Sequence, residues 1–203
     1  MSRPRSLRRR RLAGLAGIAG GVGWAGLTLL TFAAGGGVSP LGYATLELLT
    51  PVALVLAAAG AAGFRVRSRR SWSRLTAVGY AALFAGLVGA VAGSAFYVAL
   101  GRLTGWTFSV WAYFLALVGA TVFGIRLLRD DSVAGFSHRN SFRVGAALLA
   151  GTLPVGFPAS FALAFAGIVS DEAIVPVGPG ALLGAGVAAL GWWTWQAEGE
   201  ADR

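Results

Sequence analysis

Glu47 is the one carboxylate in or beside a long apolar run; the chain's other acidic residues fall in polar gaps. An ionised group at the centre of a bilayer costs at least about 2.5 kcal/mol, so an intramembrane carboxylate is a candidate proton or cation site by default. The Thr50 hydroxyl and the backbone carbonyls freed by Pro51 would share that site. A structural role competes with it. Leu48 to Phe64 is already 17 residues, about 25 Å of helix, so Glu47 can rest at the interface and pair with Arg102.

A second constellation is Gly151-Thr152-Leu153-Pro154-Val155-Gly156-Phe157-Pro158-Ala159-Ser160. Two prolines four apart remove two amide donors from a helix ladder, which predicts a kink or break. Counted from Phe142, Pro154 lies about 18 Å along the helix, close to the bilayer midplane. Discontinuous helices at that depth offer carbonyls and half-helix ends to substrates and ions. Glu47, Thr50, Thr152, Pro154, Pro158 and Ser160 are therefore the candidate substrate or ion site. In the competing reading the kink only shapes the packing.

Other chemistries fail on residue type or reach. The segment Arg129-Asp130-Asp131-Ser132 through Ser137-His138-Arg139-Asn140 holds two carboxylates and the only histidine. A metal site there would want further ligands, so a solvated loop is expected. Ser94 falls near the outer end of its span and His138 in the inner loop, about a bilayer thickness apart and too far for a hydrogen-bonded dyad. There is no cysteine, which removes thiolate ligands, disulfides and cysteine nucleophiles. The expectation is no enzyme, no metal and no cofactor.

The elements that must position these residues are membrane helices. The 203 residues are 56% hydrophobic and only 12% charged, with mean hydropathy +0.70; a soluble domain carries about twice that charge. Apolar runs recur near Leu12 to Ala34, Leu46 to Phe64, Leu75 to Leu100, Trp106 to Leu128, Phe142 to Val169 and Val177 to Trp195. Each is about the 20 residues that cross a hydrocarbon core of about 30 Å, and a helix satisfies its own backbone there. The fold expected is an all-α, polytopic bundle of six transmembrane helices, with an Arg-rich segment at 1–11, a transmembrane domain at 12–197 and a short tail at 198–203.

Orientation follows from arginine. All 17 basic residues are arginine: the N-terminal segment carries six, the second loop five (Arg65, Arg67, Arg69, Arg70, Arg74), the fourth loop four and the tail Arg203. The three opposite loops hold only Arg102. Such asymmetry marks the arginine-rich side, with both termini, as cytoplasmic. The net charge of +9 is thereby explained by anionic lipid headgroups rather than by nucleic acid. Trp106 and Trp111, and Trp192, Trp193 and Trp195, sit where span ends meet headgroups. Trp24 lies mid-span, and its indole N–H calls for a partner on a neighbouring helix.

The apolar run after Arg11 is too long for a signal-peptide core, so it reads as a retained anchor. Arg11-Leu12, Arg74-Leu75 and Arg143-Val144 each open an outward span, a faint three-hairpin repeat. Gly17 and Gly21, Gly89 and Gly93, and Gly180 and Gly184 are small pairs at the spacing that lets helix backbones approach. They read as intramolecular packing surfaces, with a homo-oligomer as the other use. The function expected is that of a multi-pass protein of the cytoplasmic membrane, a non-catalytic packing, assembly or accessory subunit with a membrane-protein partner. The alternative is a small-solute or ion transporter built on Glu47 and the broken fifth helix.

Overall fold

The structure, a computed structural model, describes residues 3–35, 43–67, 72–129, 139–167 and 177–196. They form seven helices and no strand: α1 (Arg3–Gly35), α2 (Tyr43–Arg67), α3 (Arg74–Leu100), α4 (Leu103–Arg129), α5 (Arg139–Gly151), α6 (Gly156–Phe165) and α7 (Val177–Gln196). The helix starts and stops lie close to the ends of the apolar runs. α1 extends the expectation at one end, since the arginine-rich segment continues the helix from Arg3 rather than standing outside it.

Four helices are long and apolar enough to cross a membrane, and five crossings result if α5 and α6, bent by 63° across a short break, count as one. α7 has the length at 20 residues, about 30 Å, but its glycines and tryptophans keep its hydropathy lower. It is also the most enclosed helix, with twelve buried positions from Val177 to Thr194. A helix walled by protein does not need lipid-soluble side chains; small residues that admit neighbouring backbones serve it better.

Sequential helices run antiparallel and close a ring in the order α1, α2, α3, α4, α5 with α6, and α7, which returns to pack along α1. The glycine pairs make the close contacts expected of them, all within the chain. Gly17 meets Gly60 of α2 and Gly191 of α7, and Gly21 meets Gly184 and Ala188 of α7. On the other side Gly79, Gly86 and Gly93 of α3 lie against Phe123, Ala116 and Ser109 of α4. These are one glycine every seven residues facing one partner every seven, a single continuous antiparallel register. Ser73 caps α3, its hydroxyl accepting from the Thr76 amide at 3.2 Å. α3 ends on Gly101, whose φ of 62° and N–H bond to the Tyr97 carbonyl form a left-handed stop that lets the chain turn straight into α4.

With this alternation, Arg11, Arg65, Arg74, Arg126, Arg129 and Arg143 all lie toward one end of the bundle, and Arg102 lies at the other. The ring's interior at the arginine-rich end is filled by aromatic rings from five elements. Phe64 packs on Phe123 at 5.8 Å and on Trp193 at 5.5 Å, Phe142 on Trp193 at 5.3 Å, and Trp72 on Tyr80 at 5.0 Å. The Arg65 guanidinium caps the group 4.1 Å above the Trp72 ring. Trp193 corrects a sequence expectation. Trp192 and Trp195 are exposed, with ring centroids 4.9 Å apart and the rings tilted, but Trp193 is buried in this cluster rather than turned outward.

Candidate functional site

The apolar run from Phe142 breaks where its prolines predict. α5 ends at Gly151 and α6 begins at Gly156, with the turn 152–155 between them. Pro154 removes the donor that would serve the Ala150 carbonyl. Pro158 falls in the first turn of α6, where a missing N–H costs little. The break is held from outside. Thr121 of α4 accepts the freed Leu153 amide at 3.3 Å while donating to its own Leu117 carbonyl at 3.1 Å. Ser160 accepts from the Gly178 amide at 2.8 Å and donates to the Gly156 carbonyl at 3.1 Å, joining α6 to the start of α7. Gly156 and Gly178 lie against each other at backbone contact beside this serine.

The sequence-derived site residues divide into three places. Thr152 and Ser160 are fully buried, whereas the Pro154 and Pro158 rings are exposed on the outer surface of the bend. Thr152 donates to the Leu148 carbonyl at 3.3 Å. Thr50 is half-buried on α2. The backbone at Glu47 belongs to the first turns of α2, but its side chain, and hence its pairing with Arg102, lies outside the described residues. Arg102 itself is exposed at the α3–α4 turn, at the same end of the bundle as the start of α2. α2 packs on α1, α3 and α7 and has no extensive packing on α5 or α6, so Thr50 and the broken span are not drawn into one pocket.

Buried hydroxyls elsewhere follow the same pattern. Thr28 donates to the Trp24 carbonyl at 2.7 Å and Thr194 to the Leu190 carbonyl at 2.7 Å. Each closes on the carbonyl one turn back in its own helix. Other side chains instead cross between helices. Trp24 donates its indole N–H to the Tyr113 hydroxyl at 3.2 Å, the neighbouring-helix partner its mid-span position called for. Ser94 and Ser109 share a 2.9 Å bond between α3 and α4, and the Ser109 hydroxyl reaches the Ala90 carbonyl at 3.0 Å.

At the ring's centre a partly open cavity of about 20 Å³ is bordered by Gly60, Phe64, Tyr80, Leu83, Phe123 and Leu190. It has room for about one water and offers almost no polar lining to hold it. The Tyr80 hydroxyl at its edge bonds to the Ala61 carbonyl at 3.1 Å. Among the described residues no group of three or more His, Cys, Asp or Glu side chains could hold a metal; Asp130, Asp131 and His138 lie outside them.

Sequence reasoning missed Tyr113, Thr121 and the aromatic cluster. Thr121 carried a usable signal, a hydroxyl placed mid-span on the helix before the proline pair. Comparison with protein-family models, curated proteins and solved structures finds no match to this chain.

Proposed function

We propose that the chain is a six-span protein of the cytoplasmic membrane, with both termini on the cytoplasmic side, and that it serves as a non-catalytic packing, assembly or accessory subunit. The observation that carries this reading is the filled interior. Aromatic rings occupy the arginine-rich half, the Trp24–Tyr113 bond bridges the bundle farther along, and the cavity among the central helices is apolar and about 20 Å³. A permeation path needs polar groups facing a common space; here the buried hydroxyls are spent on their own helices or on bracing neighbours. α7 is the sixth span, antiparallel to α1 along its length and screened from lipid. The orientation follows from the gathering of arginines at one end.

The alternative, a small-solute or ion transporter, draws on the 63° break. Against it stand the Thr121 and Ser160 bonds, which occupy the polar groups that such a site would use.

Reconstitution tests the choice. Liposomes containing the chain are expected to show ion and solute flux no higher than empty liposomes, and mild detergent should recover the chain with a stoichiometric membrane-protein partner. Flux that depends on the chain and is lost in Glu47→Gln would overturn the subunit reading in favour of transport.

A further inference from the structure

The shared register of α3 and α4 continues past its last glycine contact. Gly79 faces Phe123, so one turn farther Thr76 is level with Arg126, and Ser73 with Arg129. Arg74, Arg126 and Arg129 therefore gather where α3 begins and α4 ends. Arg74 and Arg129 are exposed and Arg126 half-buried, and among the described residues none of the three has a carboxylate partner. Arg126 and Arg129 suit the negative C-terminal end of α4. Arg74 does not suit its place. It opens α3, where the helix end is itself positive, and no acidic residue stands in that first turn. Three guanidinium groups and a helix N-terminus of the same sign call for an anion.

The surface leading away from Arg74 says which anion. Val78, Ala81, Ala85 and Val88 follow it at alternating steps of four and three residues, so they lie on one face of α3, and all are exposed. The outward faces of the two neighbouring helices carry bulk: Leu48, Leu49, Val52 and Val55 on α2, and Trp111, Leu115 and Val118 on α4. On α3, Ala81 and Ala85 form a short apolar trough between the exposed Val78 and Val88. From Arg74 to Ala85 is about 17 Å of helix, close to the half-thickness of a hydrocarbon core.

We propose that this end of the α3–α4 hairpin docks one anionic glycerophospholipid, its phosphate held by Arg74, Arg126 and Arg129 and an acyl chain laid along Ala81 and Ala85. The inference rests on the membrane-embedded reading above. It distinguishes a defined lipid seat from the diffuse attraction of any basic surface for a negative leaflet.

The test is native mass spectrometry of the full chain released from nanodiscs that mix phosphatidylglycerol with phosphatidylcholine. The wild-type chain should retain phosphatidylglycerol selectively. Arg74→Gln, Arg126→Gln and Arg129→Gln should each lower retention about fivefold. Ala85→Leu, which fills the trough without changing charge, should lower it as well, while Arg143→Gln at the same end of the bundle should change it less than twofold. Helicity by circular dichroism confirms that each variant is folded. Equal retention of the two lipids, equal loss in Arg143→Gln, or an unchanged Ala85→Leu would overturn the seat and leave only diffuse attraction. A disulfide between copies of Ala85→Cys would overturn it too, by showing a second chain on that face. Failure of the wild-type chain to enter nanodiscs at all would instead sink the membrane reading beneath it.

Discussion

The Trp24 indole on α1 and the Tyr113 hydroxyl on α4 meet at 3.2 Å, with ring centroids 5.2 Å apart and edge to face, although α1 and α4 share no extensive packing of their own. The bond crosses the ring of helices instead of following it. Gly180 of α7 leaves the space for it: a methyl group there would come within 3.0 Å of the Tyr113 oxygen and 2.8 Å of the Thr28 hydroxyl.

Interhelical hydrogen bonds in membranes contribute about 0.6 kcal/mol on average and up to about 1.7. Tyr113→Phe and Trp24→Phe should each lower stability by about 1 kcal/mol. The double variant should lose less than the sum of the two, because each single change already breaks the shared bond. Unfolding in mixed micelles with increasing dodecyl sulfate measures all three, and strict additivity would show that the bond carries no coupling.

Two glycines on facing helices should behave oppositely. A methyl group at Gly184 would lie 2.5 Å from the Gly21 carbonyl oxygen and 2.7 Å from the Ala25 amide nitrogen, all backbone that cannot step aside. Gly184→Ala should therefore destabilise the fold by about 1–3 kcal/mol. Gly26, also on α1, has nothing within 4 Å of such a methyl, and Gly26→Ala should be neutral or stabilising by about 0.5 kcal/mol. The same micelle titration compares them.

At the break, Ser160→Ala should strand the Gly178 amide and cost about 1–3 kcal/mol, as should Thr121→Val for the Leu153 amide. Pro154→Ala should leave the bend in place, because Thr121 and Ser160 hold it from neighbouring elements. Spin labels on α5 and α6 read the angle; a straightened span in Pro154→Ala would mean that proline alone maintains it.

Membrane orientation can be read directly, since no native cysteine interferes. In intact cells a membrane-impermeant maleimide should label Arg102→Cys, and should label Arg129→Cys only after lysis. The reverse pattern would invert the proposed topology.

Much of the helix layout was legible because apolar runs and arginine-bearing gaps alternate so sharply, and the proline pair announced its own break. Contacts between distant helices were less legible. The rule that sends tryptophan to interfaces does not tell which ring turns inward: Trp192 and Trp195 are exposed and Trp193 is buried. The helical period distinguishes them: residues three apart share a face, and the one beside Trp192 turns about 100° toward Leu190 and the bundle. That period was readable. The convergence of Phe64, Tyr80, Phe123, Phe142 and Trp193 was not, because it depends on which helices become neighbours. Of the candidate site, the break was legible from the two prolines, but hydroxyl type alone could not reveal that Thr152 is spent on its own helix and Ser160 on a brace to α7.

The aromatic cluster has a consequence for the order of assembly. Its rings come from α2, α3, α4, α5 and α7, and α7 is also the element that closes the ring against α1. A chain that has only α1 to α6 has hairpins but no keystone, and its interior faces stay uncovered until α7 brings Trp193 into place.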